Sequence, residues 1–263
     1  MAEDKVAEIP KSDTTVARME RPSFIKPGDH RGTDHITKED LQIPRLALAQ
    51  GLTPQVAEGK EGFVTGVLFN SQTEQVYGKG PIDFFIVRAD KPRFIEFNPR
   101  DEGGGIKDMN VAPNDPRTKF TIDSEGKSVK PLATKFYDFI IAMLPLDADA
   151  MKSIISLSFK SSGLKMARNL NTLVKYRNAP LFAGVYRLTT KVEKNAKGIF
   201  SVYNVENAGW VGNHTAMEGE GAYKLAEGLF TSLADRVIVV DRTGDETDDA
   251  DEFDPAKYEG TET

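Results

Sequence analysis

Residues 154–176 read IISLSFKSSGLKMARNLNTLVKY, and residues 182–205 read FAGVYRLTTKVEKNAKGIFSVYNV. Ile154 to Lys160 alternates in a strand period, sending Ile155, Leu157 and Phe159 one way and Ser156, Ser158 and Lys160 the other. After Ser162-Gly163 the period changes. Leu164, Met166, Ala167, Leu170, Leu173 and Val174 recur at helical spacing and predict one buried stripe, with Lys165, Arg168, Asn169, Thr172 and Lys175 on the opposite face. Beyond Pro180, strands are predicted over Phe182–Val192 and Ile199–Val205, joined by a turn that ends in Gly198. In the first of these, Tyr186, Leu188 and Val192 face away from Arg187, Thr189 and Lys191.

Working outward, short segments rich in Val, Ile, Phe and Tyr alternate with Gly, Pro and Asn clusters. They predict strands at Phe63–Phe69, Ile82–Ala89, Arg93–Phe97 and Phe136–Leu144. Residues 98–131 interrupt the pattern with Pro99, Gly103-Gly104-Gly105, Pro113, Pro116 and Pro131, and predict a long excursion. A second helix is predicted from Gly221 to Ala234 with Ala222, Leu225, Leu229 and Leu233 inward, followed by a strand at Val237–Val240. Residues 1–40 are polar and Pro-containing without sustained periodicity, and residues 241–263 are strongly acidic; both predict disordered tails around a domain spanning 41–240. The fold class is therefore β-rich (all-β or α+β). The order strand, helix, strand, strand fits an elaborated OB-like Greek-key barrel, in which a helix lies between the third and fourth strands.

Charge is unevenly placed. Residues 151–200 carry ten Lys/Arg against one acid, Glu193, a local charge of +9, whereas residues 241–263 carry a charge of −8. The net charge of −6 thus hides a basic middle beside an acidic terminus, a pattern suited to binding a polyanion. Binding a single strand without base readout needs a cationic groove with aromatic platforms, because every base has a π-face. Lys160, Lys165, Arg168, Lys175, Arg187 and Lys191 are the candidate phosphate contacts, and Tyr176, Tyr203 and Trp210 the candidate stackers; Phe182 and Phe200 also lie nearby. The bland alternatives are a solvated helix face, aromatics that belong to the core, and a merely solubilising tail.

With no Cys, disulfides, thiolate metal sites and Cys nucleophiles are excluded; His30, His35 and His214 do not cluster. No metal or cofactor is expected. The loop Arg100-Asp-Glu-Gly-Gly-Gly105 lacks a P-loop frame, and no spacing singles out Asp83, Glu96, Asp101, Glu102 and Asp138 as a two-metal nuclease centre. The longest apolar run, Phe136 to Leu146, is too short for a membrane span, and no secretory signal is read at the N-terminus, so a cytoplasmic protein is expected.

The segment Leu157-Ser-Phe-Lys-Ser-Ser-Gly-Leu-Lys-Met-Ala-Arg168, the strand Leu181-Phe-Ala-Gly-Val-Tyr-Arg-Leu188 and the acidic C-terminus resemble the OB-fold single-stranded DNA-binding proteins of tailed bacteriophages. The turn Asn70-Ser-Gln-Thr-Glu-Gln-Val-Tyr-Gly78 and the Gly-rich loop also resemble uncharacterised phage proteins. The resemblance implies a non-enzymatic protein that coats and protects single-stranded DNA in phage replication or recombination. The acidic tail, by its charge, reads as a competitor for the groove; the resemblance implies that it can recruit replication or recombination proteins, and is compatible with a homo-oligomer. One departure is that Phe253 is followed by ten residues, where the familiar tails end on an aromatic. The runner-up reading is a phage structural or assembly protein whose basic face binds an acidic partner, and behind it stands a metal-dependent nuclease.

Overall fold

The computed structural model describes residues 42–99, 103–195, 198–234 and 239–240. The predicted arm 1–40 and acidic tail 241–263, with Arg100, Asp101, Glu102 and Phe253, lie outside the described residues. The described residues open with β1 (Gln42–Ile43), β2 (Leu46–Leu48) and a single helical turn, α1 (Pro54–Ala57), then β3 (Leu68–Asn70) and β4 (Val76–Gly78). β2, β3 and β4 form a small antiparallel sheet. The strand predicted from Phe63 starts only at Leu68, because Gly66 at φ +93° turns the backbone and Val64 stays exposed.

β5 (Ile82–Ala89) and β6 (Arg93–Phe97) have their predicted bounds. The excursion holds β7 (Ile106–Asp108), β8 (Thr121–Ile122) and β9 (Ser128–Val129), and returns as the long β10 (Ala133–Leu144). β10 pairs antiparallel with β6 through Ala133–Phe136 and with β5 through Phe139–Leu144, so β5 and β6 follow one edge of β10 in succession, interrupted at Asp90–Pro92. The opposite edge of β10 takes β11 (Ile154–Phe159).

Then come α2 (Leu164–Tyr176), β12 (Gly184–Asn195) and β13 (Gly198–Trp210). β12 pairs with β5 and forms a long hairpin with β13, giving a seven-stranded sheet. The protein is β-rich, with its helix placed between β11 and β12 as the periodicity predicts. The segment after β1 spans the gap between β11 and β13. Ser156 N donates to Pro44 O at 2.9 Å, Gln50 Nε2 to Ser201 O at 2.7 Å, and the Tyr203 hydroxyl to Leu46 O at 3.1 Å. All of the described residues belong to one compact unit.

The sheet has an apolar layer on each side. On one, Phe84, Ile86, Phe139, Ile141, Leu157, Phe159 and Leu188 meet Ala167 and Leu170 of α2. On the other, Phe85, Val87, Ile140, Ala142 and Val185 lie under the last helix among the described residues. That helix, α3 (Gly219–Ala234), follows a short hairpin of β14 (Asn213–His214) and β15 (Met217–Glu218) and leads to β16 (Val239–Val240), which pairs parallel with β1. α3 buries Ala226, Leu229 and Leu233; Leu225, expected inward, is 46% exposed, and Ala226 takes its place. No helix among the described residues is long and apolar enough to cross a membrane.

Candidate nucleic-acid interface

α2 is amphipathic as its spacing requires. Ala167 and Leu170 are buried, and Met166, Leu173 and Val174 pack beside them. Lys165, Arg168, Thr172, Lys175 and Tyr176 recur at intervals of three and four, fall on one stripe, and are all exposed, Tyr176 to 86%. No acidic residue occurs from Ala150 to Val192. Among the described residues Arg168 and Lys175 have no ion-pair partner, and neither does Lys191, exposed on β12.

Other candidates are engaged elsewhere. Arg187 forms a bidentate pair with Asp83 at 2.7 and 2.8 Å, and Asp83 also meets His214 Nε2 at 3.1 Å. The hydrogen bond from Arg187, against some desolvation, holds the Asp83 carboxyl below its usual range, and the same bond raises the guanidinium. Lys160 is half-buried, with Nζ 5.9 Å from the centre of the Phe136 ring. The polar face predicted for β11 is covered: Ser156 is fully buried beneath Pro44 and Arg45, and the Ser158 hydroxyl donates to Asp138 at 2.6 Å. A sheet sealed on both sides leaves no room there for a groove. Tyr203 is half-buried, its ring edge-on to Phe159 at 5.4 Å and its hydroxyl turned inward to Leu46, so it belongs to the core.

Trp210 is different. At the end of β13 it is 41% exposed, and one face carries the Arg177 guanidinium, 4.5 Å from the ring centre. The same guanidinium lies 4.8 Å from the Tyr186 ring and donates to the carbonyls of Gly209 and Val185 and to Asn207 Oδ1. Burial pushes Arg177 below its ordinary value and raises the Tyr186 phenol. Gly184, opposite Trp210 in the ladder, makes the arrangement feasible. A Cβ there would stand 2.7 Å from the Tyr186 hydroxyl and 2.8 Å from Arg177 Nη1. Sequence reasoning counted Arg177 only as one more cation; Gly184 and Gly209-Trp210 at facing strand ends are the signal that could have singled it out.

Of the carboxylates considered for metal chemistry, the three among the described residues are held by cations: Asp83 by Arg187, Asp138 by Arg93, and Glu96 by Lys107 and Arg117; Asp101 and Glu102 lie outside the described residues. Among the described residues no group of three or more His, Cys, Asp or Glu could hold a metal ion.

Compared with known families, residues 12–238 match the family described as Pam3 phage gp34-like protein. The chain belongs to that family. It is thus a phage protein, as the resemblance implied at its coarser level. Neither a curated protein nor a solved structure matches the gp34-like chain. The arrangement offers a cationic helix stripe ending in an exposed tyrosine, and a half-exposed indole packed on the Arg177 guanidinium.

Proposed function

We propose that this phage protein binds single-stranded DNA, coating and protecting it during replication or recombination, on the scaffold of an OB-type barrel. The strand order supports the scaffold: β5 and β6 act as the first strand, β10 and β11 as the second and third, and β12 and β13 as the fourth and fifth, with α2 between the third and fourth. The observation that carries the reading is the exposed stripe Lys165, Arg168, Lys175 and Tyr176 within an acid-free stretch. Point charges that track phosphates, with an aromatic within the same stripe, suit a single strand whose bases are splayed. Because α3 covers the outer face of β5, β10 and β12, the strand runs over α2 and toward Lys191 rather than across the sheet. Lys165, Arg168, Lys175 and Lys191 are the phosphate contacts; Arg187 and Lys160 are secondary.

Fluorescence anisotropy with oligo-dT, duplex DNA and RNA of equal length tests this. Tighter binding to oligo-dT than to duplex is the result expected. Equal affinity for duplex, or no binding at low salt, overturns it and leaves the assembly-protein reading, in which the same basic face takes an acidic protein.

A further inference from the structure

We propose that Trp210 is a base-stacking platform held in place by Arg177, so that the bound strand lays one nucleobase on the indole; this rests on the single-strand reading above. A tryptophan left on the surface for no purpose needs no mount, and this one has an elaborate one. Arg177 stands at the end of α2, fills the space that Gly184 leaves, and is gripped between Tyr186 and Trp210 with acceptors from Gly209, Val185 and Asn207. Asn207 Oδ1 also accepts from Gly209 N at 2.9 Å, which fixes the strand end that carries the indole. Three acceptors already hold the guanidinium, so its role at this place is to position the ring and not to neutralise a phosphate. With one face covered by the cation, the exposed remainder of the indole offers stacking surface for a single base. Tyr176, directly before Arg177 in sequence, joins this platform to the cationic stripe. A ring already ordered loses little freedom when a base settles on it, which favours binding.

Trp210 is the sole tryptophan, so intrinsic emission reports on it alone. The full chain is titrated with oligo-dT and with an abasic oligodeoxynucleotide of the same length, following both anisotropy and emission. Oligo-dT is expected to quench the emission and to bind roughly five- to a hundredfold more tightly than the abasic strand. Trp210→Ala should bring that ratio toward one while leaving abasic affinity unchanged. Arg177→Lys keeps the charge but not the planar fork. It should reduce both the quenching and the oligo-dT preference without altering the salt dependence; full retention of both would remove Arg177 from the positioning role. Equal binding of both strands with unchanged emission overturns the platform while leaving single-strand binding standing, whereas failure of both strands to bind overturns the underlying reading. If Arg177→Lys lowers the thermal midpoint too far to be used, the exposed Trp210→Ala variant decides alone.

Discussion

At the scale of single residues, space and hydrogen bonding decide more than charge does. Arg177 and Arg187 stand in the same basic run, yet one is built into an aromatic sandwich and the other into a pair with Asp83. Gly184 shows how a missing side chain positions a present one. Gly184→Ala places a methyl group 2.8 Å from Arg177 Nη1, so the guanidinium must leave its seat against Trp210 or the strand must shift. Overpacking of this kind costs roughly 1–3 kcal/mol. Chemical denaturation should show a loss in that range, accompanied by a change in Trp210 emission in the native state; an unchanged midpoint and spectrum would mean that the site yields without strain. None of this was legible from composition, because which member of a run of cations reaches Gly184 and Trp210 depends on where α2 ends and on the register that sets those two opposite one another.

At the scale of elements, legibility followed burial. β5 and β6 matched their predicted bounds because apolar, β-branched runs are fenced by Pro81 and by Asp90-Lys91-Pro92. α2 matched because a single apolar stripe repeats against polar residues. The covered outer sheet face was missed, although its signal was present: Phe84–Val87 and Phe139–Ala142 are continuous apolar runs, which mark strands buried on both faces, not one. On α3, Ala222 packs inward as predicted, whereas Leu225 fitted the predicted stripe as well as Ala226 does, and only packing against Phe182 and the sheet settled the rotation. The excursion between β6 and β10 is anchored by an ionic network that no motif marked. Glu96, buried on β6 between β10 and β7, takes Lys107 and Arg117, and Arg117 also reaches Asp108 and Asp115. Arg117, through its side chain and then its backbone N–H, lowers Asp115 from 3.8 to about 2. Since the folded value lies below the unfolded one, the stabilising contribution is complete above the ordinary carboxylate range and is lost as pH falls through about 2. The protection of the amides of residues 106–118 against exchange, referred to the intrinsic rate at each pH, should therefore fall between pH 4 and pH 2. Arg117→Ala should show the lower protection already at neutral pH, and indifference to both changes would show that the network does not hold the excursion.

At the scale of the whole molecule, the basic middle and the acidic end oppose one another. Residues 241–263 carry −8, and on the proposed reading they act as a covalently attached competitor for the cationic stripe, for which linkage supplies an effective concentration of about millimolar. A chain cut after Val240 keeps β16 and should bind oligo-dT more tightly at low salt. The gain should vanish by a few hundred millimolar salt as screening takes hold. Equal affinity of cut and full chains at low salt would reassign the tail to solubility or partner binding. The central claim, that α2 carries the phosphate contacts, is tested most directly by the slope of log affinity against log salt for oligo-dT. The wild type is compared with the triple variant Lys165→Ala, Arg168→Ala and Lys175→Ala. Each neutralised phosphate contributes roughly 0.7 on a single strand, so four contacts predict a slope of about −3 for the wild type and about −1 for the variant, with the fold intact by circular dichroism. Identical slopes and affinities for the two proteins would contradict the account.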